Sequence, residues 1–234
     1  MSRLRYGCLP SGNHPGVNVL DSATNKLWVG KTLTEVGLIR PIRPDKLVRM
    51  AAAYMKYGAS PATGYTVGAI RHPERLAIID ELGTLTFKEV DERTNALANA
   101  FAKEGIGDGD GVAILCRNHR GFAEATIALG KLGATALYLN TAFAAPQITD
   151  VMEREEPVAI IYDEEFSEMV AEGAEGRKRY IGWSDGPDKP DCDILEDLAT
   201  SGETPAPPKP ESPGKVIILT SGTTGTPKGA SRES

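Results

Sequence analysis

The chain has 234 residues, a formal net charge of −6 and a hydrophobic fraction of 41%. This length allows one large or two small domains with a sizeable core, and the negative charge disfavours a nucleic-acid partner. The three cysteines have no C-x-x-C spacing, which predicts neither a zinc site nor a disulfide framework and favours a cytoplasmic location. No apolar stretch has signal-peptide length, and Glu124 and Lys131 interrupt the most apolar window, so no transmembrane segment is expected.

Residues 1–70 are predicted to form an N-terminal extension with a strand at Lys26–Val29 and a helix near residues 45–57. Asp45 is the expected N-cap of this helix and Gly58 its stop. The apolar residues at helical spacing are Leu47, Met50, Ala51 and Tyr54. We expect this face to pack against the protein core. A face turned towards a membrane surface is the alternative, so peripheral membrane contact is left open.

The next segment is predicted to be a β-hairpin followed by a helix. The two predicted strands are Ala77–Asp80 and Leu85–Phe87, and a turn that contains Gly83 connects them. Thr86 and Glu89 have the spacing of a capping box, which predicts a helix start. The buried face of this helix is expected to contain Val90, Leu97 and Phe101, with Gly105 at its end.

Apolar strands then alternate with segments of helical length. The predicted elements are strand Val112–Cys116, helix Phe122–Leu132, strand Ala134–Leu139, helix Gln147–Arg154 and strand Val158–Tyr162. A further helix near Glu164–Ala171 and a strand at Arg179–Trp183 extend the series. This order predicts an α/β fold over residues 71–200, with a parallel βαβ sheet flanked by helices.

Residues 201–213 contain five prolines and few apolar side chains. This composition predicts an exposed linker, although a proline-rich ligand for an aromatic-grooved partner domain is an alternative. We place a domain boundary here, so residues 214–234 are expected to begin the sheet of a further subdomain with a strand and a loop.

The loop follows the apolar run Lys215–Leu219 and reads TSGTTGTPKG from Thr220 to Gly229. Glycines allow a backbone to approach a ligand closely, and hydroxyl and amide groups can then surround phosphate oxygens. Lys228 adds a positive charge that offsets the repulsion between those oxygens. The composition therefore predicts a nucleotide-phosphate site.

The spacing excludes the Walker A loop, because Pro227 stands where its second glycine is required and Gly229 where Ser or Thr is required. The ten residues instead resemble the phosphate-binding signature of the adenylate-forming superfamily, which includes acyl-CoA synthetases and peptide-synthetase adenylation domains. Upstream positions that also resemble acyl-CoA synthetases are Asn118, Ala123, Glu124, Lys131–Ala134 and Tyr138–Asn140. From local structure alone, Asn118 also suits a helix N-cap and Gly133 a C-cap.

This resemblance implies an enzyme that activates a carboxylate with ATP and Mg²⁺ as an acyl-adenylate and transfers the acyl group to coenzyme A. It implies the N-terminal subdomain of the adenylate-forming fold, ending after the phosphate loop, and a fragment that is inactive alone. The residues expected to bind ATP are Thr220, Ser221, Gly222, Thr223, Thr224, Gly225 and Lys228. No catalytic or metal-binding residue is assigned, and His14, His72 and His119 receive no catalytic role.

The substrate expected from the resemblance is a fatty acid, because the Lys228–Arg232 ending and the long N-terminal extension resemble bacterial fatty-acyl-CoA synthetases. Aryl or amino-acid substrates, and a carrier protein as acceptor, remain alternatives. A non-catalytic nucleotide-binding or interaction module is the alternative from another class. A P-loop phosphotransferase is disfavoured by the loop spacing.

Overall fold

The computed structural model describes residues 42–186, 191–221 and 227–231. The strand expected at Lys26–Val29 lies outside these residues. The chain divides into two compact units, Met1–Arg43 and Pro44–Ser234, and every element named below lies in the second.

Helix α1 (Pro44–Tyr57) ends at Gly58, whose φ of 63° only glycine adopts readily. The helix begins at Pro44, so the expected N-cap Asp45 lies within its first turn. The expected packing face is also wrong, because Ala53 and Tyr57 are the buried residues. Apolar side chains occupy most of the helix circumference, so their spacing alone did not determine which face is buried.

Helix α2 (Pro61–Arg71) was not predicted, although its start has a clear sequence signal. Ser60 is the N-cap and accepts a hydrogen bond from the Thr63 N–H, and Pro61 occupies the first turn. Proline favours this position because its missing N–H would be unpaired there in any case.

The predicted hairpin is confirmed as β1 (Leu76–Asp80) and β2 (Gly83–Thr86), which pair antiparallel. Helix α3 (Phe87–Lys103) follows directly. Both hydrogen bonds of the capping box form, with Glu89 N–H donating to Thr86 Oγ1 and Thr86 N–H donating to Glu89 Oε2. The predicted face of α3, which contains Val90, Leu97 and Phe101, is fully buried.

The βα alternation is confirmed, and each predicted boundary is met within a few residues. The remaining elements are β3 (Gly111–Leu115), α4 (Arg120–Leu132), β4 (Thr135–Tyr138), α5 (Ala145–Glu155), β5 (Ala159–Asp163), a 3₁₀ turn (Glu164–Phe166), α6 (Ser167–Val170), β6 (Lys178–Trp183), β7 (Asp193–Ile194), α7 (Leu195–Ser201), β8 (Lys215–Ser221) and β9 (Pro227–Ser231). The N-cap of α4 is His119 and not Asn118, whereas Gly133 is the C-cap, as expected, with a φ of 77°. None of the described helices combines the length and apolar character needed to cross a membrane.

Seven strands form the main sheet in the order β7-β6-β5-β3-β4-β8-β9. Every neighbouring pair from β7 to β8 is parallel, and β9 alone in this order pairs antiparallel. The expectation that residues 214–234 begin a different sheet is therefore wrong. Strand β8 pairs with β4 from Lys215 opposite Thr135 to Ile218 opposite Tyr138, so it belongs to the same sheet.

Helices cover both faces of this sheet. Alternate residues of each strand point to opposite faces, so one strand contributes to both packing layers. Val112 and Ile114 of β3 pack with α3, α4 and α7, whereas Ala113 and Leu115 of the same strand pack with α5 and α6. A third cluster joins Tyr57 of α1 to Leu85 of the hairpin and Ile127 of α4.

Buried ion pairs join α3 to α4. Arg93 Nη2 donates to Glu124 Oε2 at 3.0 Å and to Glu196 Oε2 at 2.7 Å. The Lys131 ammonium donates to Asp91 Oδ1 at 2.9 Å and to Asn95 Oδ1 at 2.6 Å. Glu124 and Lys131, two of the positions that carried the resemblance, therefore have structural partners on α3.

The proline-rich segment 201–213 is largely exposed and has no regular structure after Ser201, as predicted. It is nevertheless attached to α3, because Asn95 donates to the Thr204 carbonyl and Asn99 donates to the carbonyls of Glu203 and Pro205. The segment thus follows the surface of the βα unit on its way to β8.

Candidate functional site

The predicted phosphate loop is the connection of a β-hairpin. Strands β8 and β9 pair with Thr220 opposite Lys228 and Ser221 opposite Pro227. Directly opposed residues of antiparallel strands have Cα atoms about 5 Å apart. Two predicted site residues, Thr220 and Lys228, are therefore brought together by the sheet register.

The other predicted site residues lie at or beyond the end of β8. Ser221 is the last residue of this strand. Gly222, Thr223, Thr224 and Gly225 lie outside the described residues.

The hairpin lies at the carboxyl edge of the parallel strands. Strand β8 is parallel to β4, so the end of β8 is adjacent to the segment that follows Tyr138. In open α/β sheets this edge is where ligands bind, because loops that follow the strands meet there. The position of the β8–β9 pair is therefore consistent with a binding site.

A second polar group lies at the same edge and was not predicted. Cys116 and His119 follow β3, and Asp163 ends β5. Strands β3 and β5 are neighbours in the sheet, although β4 lies between them in the sequence. A reversal of this kind creates a crevice in doubly wound sheets. The sequence signal that could have indicated this polar group was the position of Asp163 at the end of an apolar strand.

The hydrogen bonds determine the protonation of this group. His119 Nδ1 accepts from the Gly121 N–H at 3.1 Å, so the imidazole proton is on Nε2. Nε2 then donates to Asp163 Oδ1 at 2.9 Å, and Asp163 Oδ2 accepts from the Arg117 N–H at 2.7 Å. Burial, followed by the nearby Asp163 carboxylate, raises the pKa of the Cys116 thiol well above its usual value.

The ligand atoms of Cys116, His119 and Asp163 lie within 4.8 Å of one another, a spacing that a metal ion could occupy. A metal on Nε2 would require the imidazole proton on Nδ1, where it would face the Gly121 N–H. We therefore assign this group a structural role, in which it caps α4 and links β3 to β5.

The fold and the site together define an open α/β protein with a glycine-rich hairpin at the carboxyl edge of its sheet. The sequence model of the AMP-binding enzymes matches residues 67–233 of this chain. The chain belongs to the AMP-binding enzyme family, which confirms the resemblance found in its sequence.

Sequence relatives include ligases and transport proteins. The chain is 33% identical over 176 residues to long-chain fatty acid transport protein 1 of Rattus norvegicus, covering 69% of the chain and 27% of the relative. It is 30% identical over 164 residues to 2-succinylbenzoate–CoA ligase of Geobacillus sp., covering 67% of the chain and 29% of the relative. The chain thus spans between a quarter and a third of the length of these relatives.

A solved structure supports the fold. The fatty acyl CoA synthetase of Mycobacterium tuberculosis superposes with a TM-score of 0.63 at 24% identity, covering 77% of this chain and 35% of that structure. The predicted α/β architecture with a parallel sheet is confirmed by this match and by the strand pairing.

Proposed function

We propose that this chain forms the N-terminal part of an ATP-dependent acid–thiol ligase of the acyl-CoA synthetase type. The observation that supports the proposal most directly is the hairpin register, which places Lys228 opposite Thr220 at the carboxyl edge of the sheet. Family membership and the partial coverage of longer relatives support it further.

In this proposal the hairpin binds the β and γ phosphates of ATP. Ser221, Thr223 and Thr224 donate hydroxyl or backbone hydrogen bonds to the phosphate oxygens. Gly222 and Gly225 allow the backbone to approach those oxygens closely. Thr220 stabilises the end of strand β8 opposite Lys228. Mg²⁺ bound with ATP would neutralise part of the phosphate charge, and no described residue is assigned as its ligand.

The reaction proposed for the complete enzyme has two transfers. A carboxylate oxygen of the acid forms a bond to the α-phosphorus while the bond from that phosphorus to the pyrophosphate oxygen breaks. Negative charge then accumulates on the departing pyrophosphate, where the Lys228 ammonium stabilises it. The thiol of coenzyme A afterwards loses its proton, forms the thioester bond and releases AMP.

A fatty acid is the proposed substrate class. The resemblance of the Lys228–Arg232 ending to fatty-acyl-CoA synthetases supports this choice, and so do the names of the fatty acid transport protein and the fatty acyl CoA synthetase. The succinylbenzoate ligase makes an aromatic acid the natural comparison in an experiment.

The test is acid-dependent exchange of labelled pyrophosphate into ATP by the full-length protein that carries this chain. We expect exchange with fatty acids, and thioester formation when coenzyme A is added. Exchange with aryl acids alone would overturn the substrate class but preserve the ligase. ATP binding with no exchange for any acid would overturn the ligase and favour a non-catalytic nucleotide-binding module.

A further inference from the structure

The segment that follows strand β4 continues along the sheet beyond its last paired residue. Tyr138 is paired with Ile218 of β8. The next residue, Leu139, donates its backbone N–H to the Ile114 carbonyl of β3 at 2.9 Å. Leu139 and Leu219 are both buried in one hydrophobic cluster, at 6% and 1% exposure. These contacts extend the parallel register of β4 and β8 by one residue beyond the last pair.

One more step along this register places Asn140 beside Thr220. Thr220 is opposite Lys228 on β9, so three polar residues occupy one level across β4, β8 and β9. Neighbouring strands lie about 4.8 Å apart. Thr220 and Lys228 belong to the proposed phosphate site, and Asn140 extends that level of the sheet by one strand.

Two sets of contacts hold the loop after β4 in place. Phe143 is 3% exposed and packs in the cluster that contains Leu219. Asn140 Oδ1 accepts from the Ala142 backbone N–H at 2.9 Å, and the Asn140 carbonyl accepts from the Phe143 N–H at 2.9 Å. Because this turn occupies Oδ1, the exposed Asn140 side chain offers a ligand its two Nδ2 hydrogens. A donor that is held in place beforehand loses little entropy on binding.

The two segments that meet at this level contain no acidic residue. Residues 133–149 include β4 and the loop and have no Asp or Glu, and residues 214–232 have none and carry three basic residues. The whole chain contains 32 Asp and Glu. Strand β5, in contrast, ends at Asp163 and is followed by two glutamates. An anionic ligand at the carboxyl edge is therefore favoured beside β4 and β8 over β5.

We propose that Asn140 is a further ligand of the nucleotide, donating a hydrogen bond from Nδ2 to a β or γ phosphate oxygen of ATP. The inference rests on the proposed function, because it takes the hairpin as the phosphate site. A hydrogen bond to a charged group contributes more than one between neutral groups. Its loss should therefore weaken ATP binding by at least about tenfold.

The variant that tests this role is Asn140→Asp in the full-length protein. An aspartate oxygen accepts from the Ala142 N–H as the amide oxygen does, so the turn is preserved. The carboxylate has no hydrogen to donate at neutral pH and adds a negative charge beside the phosphates. We expect the dissociation constant for ATP, measured by calorimetry, to rise at least about tenfold. Affinity for AMP, which lacks the β and γ phosphates, should change little.

Asn118→Asp is the matched control. Asn118 is an exposed asparagine at the same carboxyl edge, but it follows β3, which β4 separates from β8 in the sheet. This variant introduces the same charge change and should bind ATP normally. Asn140→Ala removes both the turn and the donor, so it should weaken ATP binding and also lower the melting temperature relative to Asn140→Asp.

The outcomes separate the phosphate contact from the turn. Normal ATP affinity in Asn140→Asp would show that Asn140 serves the turn alone and would overturn the proposal. Equal losses of ATP and AMP affinity in this variant would also contradict a contact with the β or γ phosphate. Pyrophosphate exchange by the unaltered protein reports on the ligase separately, since a protein that binds ATP without exchange still permits the affinity comparison. Absence of ATP binding by the unaltered protein would overturn both proposals.

Discussion

Asp80 and Arg120 form a buried ion pair between the hairpin and α4. Arg120 Nη2 donates to Asp80 Oδ1 at 2.7 Å, and the Arg120 backbone N–H donates to Asp80 Oδ2 at 3.0 Å. The Arg120 side chain is 7% exposed and the Asp80 side chain is 3% exposed. Removing one partner of a buried pair is costly because the other charge is left uncompensated.

The hydrogen bonds from Arg120 hold the pKa of the Asp80 carboxyl below its ordinary value of 3.8. A carboxyl whose pKa is lower in the folded than in the unfolded state stabilises the protein at pH values above its unfolded-state pKa. This contribution is lost as the pH falls through the folded-state pKa. We therefore expect Asp80→Asn to lower the free energy of unfolding by about 3 kcal/mol near neutral pH, with a smaller difference below pH 3.8.

Chemical denaturation of both proteins between neutral and acidic pH measures this difference. Asp150→Asn is the control, because Asp150 is exposed, and it should change stability little at any pH. A loss in Asp80→Asn that is independent of pH would contradict the assigned role of the carboxylate.

For individual residue contacts, the sequence predicted those between residues close together in the chain better than those between residues far apart in it. The capping box of Thr86 and Glu89 was predicted because its residues are three apart. The pairs Asp80 with Arg120 and His119 with Asp163 were not, because 40 and 44 residues separate the partners. A chain read residue by residue contains no signal for such contacts until the strand order is known.

Gly133 shows how a helix end and the proline-rich segment depend on each other. Its φ is 77°, and an added Cβ would collide with Asp108 Oδ1 and lie 2.7 Å from the Ser212 carbonyl oxygen and 2.8 Å from Pro210 Cβ. We expect Gly133→Ala to lower the free energy of unfolding by about 3 kcal/mol, of which about 1 comes from the left-handed backbone and the rest from displacing Asp108 and the segment that it holds.

Gly105 is the matched control, with a φ of 83° and no atom within 4 Å of the added Cβ. Gly105→Ala should therefore cost only about 1 kcal/mol. The two losses are compared by thermal or chemical denaturation, and hydrogen exchange at the Ser212 amide, which donates to Asp108 Oδ1, should be faster only in Gly133→Ala. Equal losses in the two variants would show that the contact with Ser212 is unimportant.

Elements were predicted well where one periodicity dominated. Strand β3 and helix α4 were recognised because a short apolar run and an amphipathic segment alternate clearly. For α1 the spacing gave the element but the wrong packing face, since the burial of Ala53 and Tyr57 depends on a cluster formed with α4 and the hairpin. Helix α2 was missed although Ser60 and Pro61 marked its start.

For the whole molecule, the main consequence of the structure is that the glycine-rich hairpin is part of the principal sheet. Leu219 of β8 is 1% exposed within the cluster that includes Leu115 and Leu137. Leu219→Ala should lower the free energy of unfolding by about 2–5 kcal/mol, because it opens a cavity in this shared core. Ile218→Ala is the control, since Ile218 is 51% exposed, and should cost less than about 1 kcal/mol.

Hydrogen exchange at the backbone amides of β6 measures whether this loss is global. Three strands separate β6 from β8 in the sheet. Faster exchange at β6 in Leu219→Ala would confirm one cooperative unit. Faster exchange limited to β8 and β9 would instead support the separate subdomain that the sequence suggested.

The sequence predicted the fold class but not the strand order. Alternating apolar strands and helices require a parallel sheet with both faces covered. The order of the strands depends on which edges meet after long connections, and this is not encoded in any single segment. The domain boundary at the proline-rich segment failed for this reason, because composition identified an exposed connection and could not show that it leads back to β4.

The measurement that tests the proposed ligase most directly is fatty-acid-dependent pyrophosphate exchange by the full-length protein with Lys228→Ala. Loss of a charge that stabilises the departing pyrophosphate should slow exchange by about 30- to 1,000-fold, or roughly 2–4 kcal/mol of barrier. Lys209→Ala, at an exposed lysine of the proline-rich segment, is the control and should exchange normally. An unchanged exchange rate in Lys228→Ala would contradict the assignment of the hairpin as the phosphate site.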